Sequence, residues 1–166
     1  MGRLVLIELL QLLVITFSAV VAFFTYRNHS DLTRKRATLD LFLSFTKDRV
    51  TIDHFKILEK CLSDDSGDSD FYKIITDRGN EHQKEREAIL HVLNIYEFMS
   101  AGTNTKLLDD SLLKTLNYSN TLKLWNYTGL GIRKLRQELG KETLFQEFET
   151  LVKRWQKKPL RCLING

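Results

Sequence analysis

The sequence predicts an all-α protein, with one N-terminal transmembrane helix followed by a cytoplasmic helical bundle. Three observations carry this reading. An apolar run fills Leu4 to Tyr26, 23 residues in which Glu8 is the one charge. Beyond it, apolar residues recur three and four apart, without sustained two-residue alternation or a hairpin dipeptide. The average composition is that of an ordinary folded chain, 43% hydrophobic and 28% charged over 166 residues. Two cysteines exclude a disulfide scaffold, and a single proline excludes collagen-like or proline-rich disorder. The expected division is an anchor and oligomerisation helix over 1–27 and one all-helical cytoplasmic domain over 28–166.

A spanning helix needs about 20 apolar residues, so the first run reaches across a bilayer with some tilt. We read it as a retained anchor rather than a signal peptide. The run is too long, and Phe23 and Phe24 directly follow the cleavage-like Val20-Val21-Ala22. Arg3 alone precedes the span, while Arg27, Arg34, Lys35 and Arg36 follow it. The positive-inside rule therefore places the N-terminus outside and everything after Tyr26 in the cytoplasm. The Asn-x-Ser/Thr triplets at Asn28, Asn117 and Asn126 are then chance occurrences.

Within the span, Glu8, Gln11, Ile15, Ser18, Ala22 and Thr25 are spaced 3, 4, 3, 4, 3. They share one arc of the helix, opposite the lipid-like Leu6, Leu10, Leu13, Phe17, Val20 and Phe24. Small and polar side chains let membrane helices approach and bond. The stripe is thus expected to be a homo-oligomer seam, with Glu8 and Gln11 ringing a pore. The competing reading has Glu8 snorkelling to the membrane edge.

The remaining helices follow in order. An amphipathic segment runs from about Asp31 to Asp48, with Leu39, Leu41, Phe42 and Phe45 as its apolar side, and it can continue straight from the span. Thr51 to Leu62 makes a second, and Ser63 to Ser69 the clearest loop, with Ser69 as cap for a short helix over Phe71 to Thr76. The longest periodic stretch, Glu81 to Ala101, aligns Ile89, Val92, Leu93, Tyr96 and Met99 and stops at Gly102-Thr103-Asn104. Asp109 or Asp110 caps a helix from Leu112 to about Tyr118. Another runs from Thr121 to Leu139 and stops at Gly140. The last spans Glu142 to Lys158, burying Leu144, Phe145, Phe148, Leu151, Val152 and Trp155 before Pro159.

Few residues point to chemistry, and the chain is not expected to be an enzyme. Arg86 and His91 have the Arg-x4-His spacing that resembles the nuclease motif of HEPN ribonucleases, an alternative reading in which the pair cleaves RNA. Asn94 and Glu97 are expected to tie across to Arg133 or Arg136 and set helix register. The loop acids fail as a calcium site, because aligning Gly67 to the loop glycine puts Leu62 and Lys73 at the end positions. Gly129 and Gly131 are expected to serve close helix packing, and Cys61 and Cys162 to be reduced thiols. No metal, cofactor or specific nucleic acid is expected.

From Asn120 onward there are ten Lys and Arg against four Glu. Arg133, Lys134 and Arg136 form one cluster, and Lys153, Arg154, Lys157, Lys158 and Arg161 another. Anionic headgroups or a phosphate-bearing ligand such as a nucleotide would suit them, and Arg133, Lys134, Arg136, Lys153 and Arg154 are the candidate anion contacts.

At Arg86 to Glu97 (REAILHVLNIYE), SAGTNTKLLDD, LWNYTGLGIRKLR and FETLVKRW, the chain resembles a family of small bacterial single-span membrane-anchored proteins. That family is catalogued as a domain of unknown function. The resemblance covers most of Lys35 to Lys157 and implies a helical cytoplasmic domain without an assigned activity. The layout is also similar to membrane effectors of bacterial antiphage systems. The combined expectation is a homo-oligomeric effector that conducts ions or perturbs the membrane when its bundle binds a ligand or partner. A non-conducting anchored scaffold is the other alternative.

Overall fold

The apolar residues from Leu4 to Tyr26 and the amphipathic stretch after them contain no glycine or proline, so nothing in the chain stops a helix once it starts. The computed structural model, which describes residues 2–63, 68–77 and 79–160, contains one unbroken helix there, α1 (Gly2–Lys47). At about 1.5 Å per residue it is ~70 Å long, more than twice a bilayer's hydrocarbon core. Its most apolar stretch has a mean hydropathy of 2.2 and none of it is buried. It is long and apolar enough to cross a membrane and is not the core helix of the bundle.

Five further helices follow among the described residues: α2 (Arg49–Ser63), α3 (Asp68–Thr76), α4 (Gln83–Asn104), α5 (Asp110–Leu139) and α6 (Gln146–Lys157). Their core sits on α4. Ile89, Val92 and Leu93 are fully buried there, against Phe71 of α3, Leu124 and Ile132 of α5, and Phe148, Val152 and Trp155 of α6. The stripes expected on the fourth and last helices are the buried ones, with Leu144 partly buried. On α1, Leu41, Phe42 and Phe45 are half-buried against the bundle, whereas Leu39 is exposed.

Four boundaries differ from expectation. Gly102-Thr103-Asn104 ends α4 as its last turn, rather than following a helix that stops at Ala101. The Thr103 hydroxyl donates to the Met99 carbonyl at 2.7 Å, and the chain reverses afterwards through Lys106 (φ 63°). The two helices expected over 112–139 are one, α5, since Thr121 donates to the Asn117 carbonyl at 2.7 Å and both residues are buried. The last helix begins at Gln146 rather than Glu142. Phe145 takes a left-handed φ of 54° in order to bury its ring, and Arg136 donates to the Leu144 carbonyl at 2.8 Å. Ser69 lies inside α3 and is not its cap; residues 64–67, with most of the expected loop, lie outside the described residues.

Candidate functional site

Every residue of the expected seam lies on α1 and faces outward: Glu8, Gln11, Ile15, Ser18, Ala22 and Thr25 are all exposed. The hydroxyls bond within their own helix. Ser18 donates to the Val14 carbonyl and Thr25 to the Val21 carbonyl, each at 2.8 Å, as does Thr16 to Leu12 at 2.7 Å. Each therefore carries little desolvation cost in lipid, and Ser18 and Thr25 keep lone pairs on the expected seam face.

The basic cluster is built around an acid. Glu149 of α6 is 8% exposed and lies against three cations: Arg136, Lys153 at 2.8 Å and Arg133 at 3.5 Å. Burial alone would raise its pKa. The hydrogen bonds and charges of Lys153 and Arg136 overcome this and hold it down to about 2. Arg136 is thus engaged by Glu149 and the Leu144 carbonyl. Arg154 is held by Asn104 at 2.8 Å and Asp110 at 2.7 Å. Arg133 and Lys134 face aromatic rings, Trp125 at 5.9 Å and Tyr72 at 5.4 Å. An added anion would compete with Glu149 for Arg133 and Lys153, and the outward Lys134 is the least committed of the five. Cys61, expected to be a reduced thiol, is half-buried; Cys162, Arg161 and the rest of 161–166 lie outside the described residues.

The remaining expected contacts rearrange. Glu97 does not reach the α5 arginines. Its carboxylate accepts the backbone N–H groups of Glu147 (3.1 Å) and Phe148 (2.7 Å), where an acid meets the positive end of α6. Asn94 is exposed on α4. Arg86 donates to the Asp77 carbonyl, while His91 meets Thr51, so the two residues of the nuclease-like spacing serve different partners. A Cβ on Gly131 would run into the Phe71 ring, which bears out close helix packing there; at Gly129 it would meet Trp125 of the same helix at 2.9 Å.

Two features escaped the sequence. The first is a joint between α1 and α2. Asp48 caps α2, accepting the Thr51 N–H at 3.0 Å and the Thr51 hydroxyl at 2.6 Å. Because that hydroxyl gives its proton to Asp48, the Nε2 of His91, 3.0 Å away, must be the donor to Thr51. This order is the reverse of a nucleophile triad, in which the hydroxyl donates to the imidazole. The His54 ring lies 4.5 Å from that of His91. Burial lowers the His91 pKa, the charge of His54 adds to this, and Asp48 opposes it. The Asp48-x-x-Thr51 spacing was the available signal; the contact with α4 had none.

The second feature is a pocket of about 350 Å³ where the end of α1 meets α2, α4 and α5. Phe42, Phe45, Phe55, Tyr96 and Met99 supply its apolar wall, and Lys56, Glu59, Asn117 and Asn120 its polar groups. Tyr96 donates to Asn117 at 3.4 Å, and burial pushes its phenol up to about 12, so it stays a neutral donor. Nearby, the Asp109 N–H donates to the buried Thr38 hydroxyl at 2.8 Å, tying the start of α5 to α1. A ligand in this pocket would touch both the bundle and the helix that carries the apolar run.

Among family models, one described as a domain of unknown function (DUF4760) matches residues 12–155. No curated protein and no solved structure matches the chain.

Proposed function

We propose that this chain, which belongs to the DUF4760 family, is a homo-oligomeric single-span effector of a bacterial inner membrane, gated by what its bundle binds. The observation that supports this reading best is the continuity of α1. A single helix from Gly2 to Lys47 joins the apolar segment to the wall of the pocket without a hinge. A shift of Phe42 and Phe45 on ligand binding is therefore passed as rotation or tilt to Glu8, Gln11 and Ser18. In this reading the N-terminus is outside and the bundle cytoplasmic, as the basic residues after Tyr26 favour. The span bundle then conducts ions or perturbs the bilayer. The likeness of layout to antiphage membrane effectors supports a defence role. Arg133, Lys134 and Lys153 are the side chains most open to the phosphates of a nucleotide, with Trp125 and Tyr72 beside them.

The test is ion flux from vesicles holding the full chain, with and without ATP as the nucleotide probe. Flux that responds to ATP and is lost in Glu8→Leu/Gln11→Leu supports the proposal. Vesicles that stay sealed under both conditions overturn it. One observation favours the scaffold alternative: the span hydroxyls are already bonded within their own helix and do not require neighbours. In that case the double variant keeps full activity in cells.

A further inference from the structure

The face of α1 that leaves the bilayer keeps its pattern. Continuing the 3, 4 spacing of Glu8 to Thr25 along the same helix reaches His29, Leu32, Arg36, Leu39, Leu43 and Thr46. All six are exposed, and the leucines heavily so: Leu32 55%, Leu39 41% and Leu43 46%. The opposite face also runs through without a break. Leu10, Leu13, Phe17, Val20 and Phe24 lead at the same spacing through the exposed Arg27 to Asp31, Arg34, Thr38, Leu41 and Phe45, all five buried or half-buried. In a heptad frame the first set occupies a and d and the second c and f, about 160° apart at ~100° per residue. The bundle therefore sits on the back of α1 and leaves the a/d face open from Glu8 to Leu43; at Thr46 that face reaches the edge of the pocket shared with α2, α4 and α5.

We propose that the occupant of this outer face is a second copy of the same chain, and that α1 pairs with α1 as a parallel coiled coil from Leu32 to Leu43, outside the membrane. The proposal rests on the self-association put forward above and extends it beyond the lipid. Copies inserted by one topology rule run parallel, so the seam of one faces the same seam of the next. Charge supports that register. Lys35 falls at g and Asp40 at the following e position, the g-to-e pair that meets across a parallel, in-register interface, and both are exposed. Arg36 at a is the polar seam residue that opposes tight pairing and limits the alternatives in register. A 3.5-residue stripe drifts ~20° per heptad on a straight helix, so the joined copies wrap left-handed.

Cysteine cross-linking in native membranes tests this. Single cysteines are placed at Leu32, Leu39, the off-seam Ala37 and the in-span Ser18 of the full chain, in a Cys61→Ala/Cys162→Ala background. Leu32→Cys and Leu39→Cys should give mostly disulfide dimer, and Ala37→Cys about tenfold less. Adding Lys35→Glu or Asp40→Lys to Leu39→Cys should lower the yield several-fold, and the double exchange should restore it. Dimer at Ser18→Cys with none at Leu32→Cys or Leu39→Cys overturns the extension and leaves the membrane seam standing. Dimer at Leu39→Cys with none at Ser18→Cys leaves the outer seam standing and removes the one in the span. Equal yield at Ala37→Cys and Leu39→Cys, or failure of the charge exchange to restore pairing, overturns the proposed register.

Discussion

Replacing Glu149 by Gln removes one charge from a site that holds three cations and keeps the side chain's size. In the folded chain Arg136 and Lys153 hold this carboxyl at about 2, against an ordinary 4.5. The lowered value means the folded form keeps its carboxylate ionised where the unfolded chain takes up a proton. The stabilisation is therefore complete above pH 4.5 and is lost as pH falls toward 2. The full shift corresponds to about 3 kcal/mol. Lys153 and Arg133 are more than half exposed (59% and 53%), so water screens part of this and about 2 kcal/mol is expected. For a chain of this size that is a fall in Tm of ~6 °C at pH 7. Thermal unfolding of the detergent-solubilised chain, followed by circular dichroism, measures it for the unaltered protein and the Glu149→Gln variant side by side. The gap should close between pH 4.5 and pH 2. An equal Tm at pH 7, or a gap that persists undiminished at pH 2, would refute the assignment of Glu149 as the charge that unites α5 and α6. The same variant should bind inorganic pyrophosphate more tightly, because Arg133 and Lys153 lose their internal anion.

Gly131→Ala gains about 1 kcal/mol in helix propensity but drives a methyl into the buried Phe71 ring, and overpacking of ~1–3 kcal/mol should win, lowering Tm by a few degrees. Glu97→Ala strips the first N–H groups of α6 of their acceptor and should cost about 1–2 kcal/mol, read as a lower midpoint in urea unfolding followed by the fluorescence of Trp125 and Trp155. The His91 pKa is lowered in the fold, so stability is fully present above the ordinary value of 6.5 and falls as pH drops below it; His91→Gln should flatten that slope in melts between pH 7 and pH 5.

The helices were legible wherever one periodic face met one core. Ile89 to Met99 on α4 and Phe148 to Trp155 on α6 needed only their spacing. The breaks were less legible, because the polar Tyr118-Ser119-Asn120 stretch looks like a helix end locally and is carried through between the buried Asn117 and Thr121. Clusters of basic residues were visible as charge, but the acid that organises them was not. Glu149 was counted among four acids; Lys153 lies four residues on in the same helix, and Arg133 and Arg136 reach it through α5 and α6 folding side by side. Glu97 shows the same limit: its role as a cap for another helix depends on a contact 50 residues away in the chain. The pocket and the Asp48–Thr51–His91 joint bring together segments whose spacing in sequence carries no signal of their meeting. By contrast, the polar stripe on α1 is written in sequence alone, and the structure adds which face of the helix the bundle covers.

The mass of the complex in mild detergent, measured by light scattering over a range of protein concentrations, tests self-association along α1 most directly. Each chain weighs 19.4 kDa, so the account predicts a protein mass of a fixed whole-number multiple of that value, at least two, and a shift toward the single-chain mass when Leu32, Leu39 and Leu43 are changed to Ser. A wild-type particle of 19.4 kDa in every detergent and at every concentration would contradict it.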